Sequence, residues 1–172
     1  METKRLAELL RHVSFSADLP DEVVRELAKI SRTVSFPAGA ILFEEGAQIR
    51  DIYVIWSGRV ALDVHVPEHG NIRILCLGPG DLVGCSTVLD QGEMTASAAA
   101  IEATETVALP ADKLLAMCEK DNRLGYEMMR RMAQQLDRRL LATRLELLEI
   151  IAQPTALPVR CTNEPRSTRS PR

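Results

Sequence analysis

Aromatic residues make up only 3% of this 172-residue chain. That scarcity leaves no row of rings on which nucleic-acid bases could stack. Histidine is rarer still, and His12, His65 and His69 assemble no Ser/His/Asp or Cys/His set of the kind nucleophilic catalysis needs. The chain is therefore expected not to be an enzyme. Its four cysteines, Cys76, Cys85, Cys118 and Cys161, are scattered and form no CxxC pair, which argues against a zinc ribbon or a dithiol redox centre. Reduced thiols in a cytoplasmic protein are the expectation. Charge of one sign is lacking too: a formal net charge of −3 and a pI near 5.7 give no general attraction to nucleic acid or to an anionic membrane. No apolar run approaches the roughly 20 residues of a membrane span. The opening METKRLAELL carries Glu2 and Glu8 where a signal peptide would be uninterrupted.

What the chain does contain is a hydrophobic period that changes twice. Leu6, Leu9, Leu10 and Val13 recur at helical spacing, and Pro20 with Asp21 and Glu22 opens a second helix carrying Val23, Val24, Leu27 and Ile30. From Thr33 to Pro110 the pattern shortens to strand-like runs, TVSF, AILF, IYVIW, GRVALDVHV, IRILCL and TVAL, separated by turn residues. Most of the glycines fall in this stretch, between Gly39 and Gly92, as closely spaced antiparallel turns require. A barrel or jelly roll fits this better than a parallel sheet.

After Pro110 the helical period returns. ADKLLAMCEK reads as a short helix, and the segment from Asn122 to Ile151 as one about 30 residues and roughly 45 Å long. Leu124, Met128, Met132, Leu136 and Leu140 step by four, and Leu141, Leu145 and Leu148 carry the apolar surface onward. The first half of such a stripe can lie on the barrel, whereas its second half needs another chain, as in a coiled-coil homodimer. The alternative is a helix folded wholly onto its own barrel. The expected division is residues 1–32 as N-terminal helices, 33–110 as the β-roll, 111–151 as C-terminal helices including the dimerisation helix, and 152–172 as a disordered tail rich in Pro and Arg.

The stretch FPAGAILFEEGAQIRDIYVIWSGRVAL resembles the first half of a cyclic-nucleotide-binding domain, with Gly39, Gly46 and Gly58 as its turn glycines. GPGDLVGCSTVLDQGEMTASAAAIEAT then resembles that family's phosphate-binding cassette without a gap. The resemblance covers about Leu6 to Ile151 and is to sensor domains of the cyclic-AMP receptor (Crp/Fnr) type. It implies an α+β fold: an eight-stranded antiparallel β-roll with short N-terminal helices and a long C-terminal helix. It also places the ligand pocket at Gly84, Cys85, Ser86, Thr87, Val88, Met94, Thr95 and Ala96.

Two of these positions depart from the family pattern. The family's Gly-Glu-Leu-Ala has its Glu on the ribose 2′-hydroxyl, and its later Arg-Ser/Thr-Ala has its Arg on the cyclic phosphate. Here the Glu position is Cys85 and the Arg position is Met94. Loss of a charge-assisted pair in a dry site costs about 2–5 kcal/mol, or a factor of about 30 to several thousand in affinity. Three readings stay open: a sensor pocket for a less charged ligand; a structural dimerisation module with an empty pocket; and weak cyclic nucleotide binding helped by an Arg from elsewhere, Arg59 and Arg73 being the candidates. A redox or haem sensor using Cys85 or Cys76 is a further variant, haem being known in gas-sensing relatives of this fold. For HVPEH, a solvated hairpin turn outweighs a metal site at His65 and His69, because Pro67 and Gly70 break any helix. No helix-turn-helix follows the long helix, so direct DNA binding is not expected and the output is expected to pass to a signalling protein partner.

Overall fold

The computed structural model describes residues 2–89 and 92–152. The tail expected at 153–172, with Cys161 in it, lies outside the described residues. Helix α1 (Glu2–His12) buries Leu6, Ala7 and Leu10, and α2 (Asp21–Ile30) buries Val24, Leu27 and Ala28. Helix α2 starts at Pro20, whose fixed φ and absent N–H suit a helix entrance, and Asp21 and Glu22 then complement the positive end of its dipole.

Eight strands follow, all paired antiparallel, in two four-stranded sheets. They are β1 (Arg32–Phe36), β2 (Ile41–Phe43), β3 (Asp51–Ser57), β4 (Val60–Val66), β5 (Gly70–Leu77), β6 (Leu82–Val83), β7 (Ser97–Ala100) and β8 (Thr104–Pro110). The sheet orders are β1-β8-β3-β6 and β2-β7-β4-β5. This is the antiparallel roll expected from the sequence. The strands β6 and β7 did not appear among the six strand-like runs, because two residues are too few to show a period and SAAA lacks the β-branched and aromatic residues that mark a strand.

The apolar residues divide into two clusters. Ile55, Val60, Leu77, Val83, Met94 and Ala98 fill the inside of the roll, with Phe43. Ile52, Val54, Val107 and Leu109 of β3 and β8 face instead toward the helices, meeting Leu10, Leu27 and Met128. A strand places successive side chains on opposite faces, so β3, with Ile52 and Val54 in one cluster and Ile55 in the other, serves both and joins them.

Two helices close the chain after α3 (Ser86–Leu89), the short helix of the cassette: α4 (Ala111–Lys120) and the 31-residue α5 (Asn122–Ala152). Asp121 caps α5, its Oδ1 accepting the N–H groups of Arg123 at 3.0 Å and Leu124 at 3.2 Å. The glycine that follows costs helix propensity, but it lets α4 and α5 cross: a Cβ at Gly125 would sit 2.9 Å from the Cys118 carbonyl oxygen. Leu124, Met128, Met132 and Gln135 are buried, whereas Leu140, Leu141, Leu145, Leu147, Leu148 and Ile151 are exposed.

Candidate functional site: the cassette and the helix above it

The segment leading into the cassette is fastened to β3. The Gly80 N–H donates to Ile55 O at 2.8 Å, the Ile55 N–H donates to Asp81 O at 3.0 Å, and Asp81 Oδ2 accepts the Gly78 N–H at 2.9 Å. Gly84 then turns the chain at φ +83°, and a Cβ there would meet Ile49 Cδ1 at 2.7 Å and the Asp51 carbonyl at 3.2 Å. Only glycine combines that φ with that approach. From this point α3 winds: the Thr87 N–H and Oγ1 both donate to Gly84 O, at 3.2 and 2.8 Å, and the Val88 N–H donates to Cys85 O at 3.2 Å. The return strand is pinned by Met94, whose N–H donates to Ala47 O at 2.9 Å and whose carbonyl accepts the Gly46 N–H at 2.7 Å.

The expected pocket residues are therefore distributed as follows. Gly84, Cys85, Met94 and Ala96 are buried, Ser86, Thr87 and Val88 are half-buried, and Thr95 is exposed. Met94, 4% exposed, packs inside the roll with Val83 and Phe43. Cys85, 5% exposed, belongs with Val88 to the helix-side cluster. The two positions where the family's Glu and Arg would act thus hold apolar packing, each in a different cluster.

Of the two arginines proposed from the sequence as substitutes, Arg73 Nε pairs with Asp63 at 3.0 Å across β4 and β5, and Arg59 Nε pairs with Glu102 at 3.7 Å. A third arginine touches the cassette. Arg139, on α5, donates through Nη2 to the Leu82 carbonyl, and its Nη1 lies 3.9 Å from Cys85 Sγ. One turn earlier, Gln135 Nε2 donates to Gly80 O at 3.0 Å. Sequence reasoning missed Arg139 because it lies on a helix remote in the chain. The available signal was the spacing of Gln135 and Arg139, which lie three and seven residues beyond Met132 and so extend the buried face of the helix with polar side chains.

This contact gives Cys85 a cationic neighbour. Its thiol is nonetheless held above the ordinary pKa, because burial penalises the thiolate more than Arg139 favours it, and Asp81 adds to the rise. Cys118 is raised as well, by burial and by Asp121 and Glu119. Cys85 and Cys118 are free thiols.

In the HVPEH turn, His65 Nδ1 lies 3.0 Å from Asn71 Oδ1 and His69 Nδ1 lies 3.2 Å from Pro67 O, so each imidazole has a local partner. Two open clefts lie outside the roll. One, of about 500 Å³, is lined by Ser14, Asp18, Arg131 and Asp137 beneath α5. The other, of about 590 Å³, lies between Thr87 and α4. Among the described residues no helix is long and apolar enough to cross a membrane.

Comparison with known proteins fits this geometry. The family model described as "Cyclic nucleotide-binding domain" matches residues 33–121, just over half of the chain. The chain is 36% identical over 129 residues to the cyclic AMP receptor protein of Thermus thermophilus, covering 74% of this chain and 57% of that protein. It is 26% identical over 131 residues to a CRP-like cAMP-activated global transcriptional regulator of Mycobacterium tuberculosis, covering 76% of this chain and 58% of that one. The chain thus spans under three fifths of the length of these curated relatives. Among solved structures, a putative cyclic nucleotide-binding protein from Geobacter metallireducens superposes with a TM-score of 0.68 at 26% identity, covering 81% of this chain and 98% of that one. The Thermus thermophilus catabolite activator protein does so with a TM-score of 0.63 at 29% identity, covering 83% and 63%. With a fold, a glycine-turned cassette and a matching family model all in agreement, this chain belongs to the cyclic nucleotide-binding domain family, as a regulatory domain of the cyclic-AMP receptor type.

Proposed function

We propose that this domain is a non-enzymatic signalling module that senses a small ligand in its β-roll pocket, with cyclic nucleotide affinity much reduced from that of a complete cassette. The observation that carries this reading is the burial of Met94 inside the roll. At the position of the family's Arg, a thioether packs against Val83 and Phe43, where a guanidinium would face a phosphate. Cys85, a thiol held protonated by burial, offers no carboxylate to a ribose hydroxyl. The cassette backbone keeps its shape while two of its charged side chains are replaced. An apolar pocket bottom favours a less charged ligand, in keeping with the general make-up of small-molecule sites.

Output in this reading passes through α5. Its distal half exposes Leu141, Leu145 and Leu148, an apolar stripe that a second copy of the chain would cover in a parallel pair of helices. The module is then a cytoplasmic homodimer that signals to a protein partner. That distal stripe also favours the second reading, in which dimerisation is the whole function and the pocket stays empty.

Calorimetry with cyclic AMP separates the two. The double variant Cys85→Glu with Met94→Arg is expected to bind at least about tenfold more tightly than the wild type, since each restored charge-assisted bond contributes about 1.5–3 kcal/mol. A folded double variant that binds no better shows that the pocket's shape has diverged along with its charges. Tight binding by the wild type overturns the reading of reduced affinity.

A further inference from the structure

We infer that Arg139 is the residue that meets the anionic group of a ligand in this pocket, in place of the arginine absent at Met94. The inference rests on the ligand-sensing reading above and adds the recognition element that reading lacks. Arg139 is in direct contact with the cassette, bonded to Leu82 O and 3.9 Å from Cys85 Sγ. Position 85 is where the resemblance puts the group that contacts the ribose 2′-hydroxyl. In a ribose cyclic phosphate the anion and that hydroxyl belong to one fused pair of rings, so a charge beside Cys85 is within a sugar's width of both.

Arg139 is also incompletely satisfied. No carboxylate lies within ion-pair distance of it among the described residues. Its partners are a backbone carbonyl and a neutral thiol, and its Nε is buried with no hydrogen-bond partner. Asp81, the nearby acid felt by Cys85, is engaged with the Gly78 N–H. A half-buried guanidinium without a counter-charge is costly, and a bound anion would supply that charge. Arginine has five donors in a planar fork, so a phosphate can be met while the bond to Leu82 O is kept. The consequence for specificity is that the charge comes from α5 and not from the roll, so that a ligand bridging Cys85 and Arg139 links the cassette to the helix.

The test compares cyclic AMP with adenosine, which shares the base and ribose but has no phosphate. Titrations followed by two-dimensional NMR read dissociation constants into the millimolar range on the full chain. Arg139→Gln is expected to weaken cyclic AMP binding at least about tenfold, the loss of one charge-assisted contact, and to leave adenosine binding unchanged. Arg139→Lys should retain part of the cyclic AMP affinity, since it keeps the charge but not the fork. Equal cyclic AMP binding by wild type and Arg139→Gln overturns the inference and leaves the ligand-sensing reading intact. Equal weakening of both ligands shows Arg139 to be a packing residue and overturns it also. No shift of the wild type with either compound overturns the inference and leaves the reading of reduced cyclic nucleotide affinity standing. Should the Gln variant fail to fold, Arg139→Met keeps the stem's packing and gives the same discrimination.

Discussion

The two halves of α5 are both apolar along one side and have opposite environments. From Leu124 to Gln135 the helix is a core element, with Met128 0% and Met132 1% exposed; from Leu140 to Ile151 its leucines stand in solvent, Leu148 at 60%. Helix propensity does not distinguish them, since the Met, Arg and Gln of the proximal half and the Leu and Glu of the distal half are all good helix formers. What differs is the neighbour: the proximal half packs into the core with Leu10 and Leu27, whereas the distal half leaves its leucines exposed. Apolar spacing therefore reports that a face wants cover, without reporting who provides it.

The largest effect should come from the covered half. Met128→Ala is expected to destabilise the fold by about 2–5 kcal/mol, as truncation of a fully buried side chain does, read by urea unfolding. Leu148→Ala, on the uncovered half, should change the monomer's stability by less than about 0.5 kcal/mol. If the two substitutions cost the same, the contrast between the halves is wrong. Next in size is assembly. Analytical ultracentrifugation should show a dimer at roughly tens of micromolar. Leu141→Glu with Leu145→Glu should raise its dissociation constant at least about 100-fold, as charges placed at a buried apolar seam do. A wild-type monomer at those concentrations sinks the dimer, and with it the use assigned to the distal half.

The smallest effect concerns Cys85, where the helix meets the cassette. Its pKa is raised in the fold, so the native state holds the thiol proton more firmly than the unfolded chain. This group's effect on stability is fully favourable below the unfolded pKa of about 8.5 and is lost as pH rises past it, when the unfolded chain alone gains by ionising. Cys118 acts in the same direction, so the measurement is a difference: Cys85→Ala should lose stability less steeply between neutral and alkaline pH than the wild type. Alkylation of Cys85 should be slow in the folded protein at neutral pH and fast after denaturation; rapid labelling of the native protein restores the reactive-thiol reading.

Much of the architecture was legible because it rests on local signals. The helical spacing of Leu6 to Val13, Pro20 at the entrance to α2 and the turn glycines each act within a few residues of where they sit. The cassette could likewise be located from Gly84 and the run that follows it. Its departures from the family pattern were legible, at Cys85 and Met94. The contact of Arg139 with the cassette was not, because it reaches Leu82 across 57 positions of sequence, and nothing in the pattern of a charged helix face says which of its arginines turns inward. The pairing of Arg59 with Glu102 and of Arg73 with Asp63 was equally out of reach of the sequence. The division of the pocket residues between two clusters was equally hidden, since it depends on how β6 and α3 are rotated against the helices.

The bonds from Gln135 to Gly80 O and from Arg139 to Leu82 O make α5 a lever with its fulcrum on the cassette. Beyond Arg139 the helix continues to Ala152, an arm of about 20 Å at about 1.5 Å per residue. A tilt of about 5° at the fulcrum sweeps the far end through nearly 2 Å, and a shift of about 1–2 Å at a helix interface is enough to exchange one packing for another. Small displacements of residues 80–85 are thus magnified at the uncovered leucines, so the same length that leaves the distal half without cover gives it mechanical advantage.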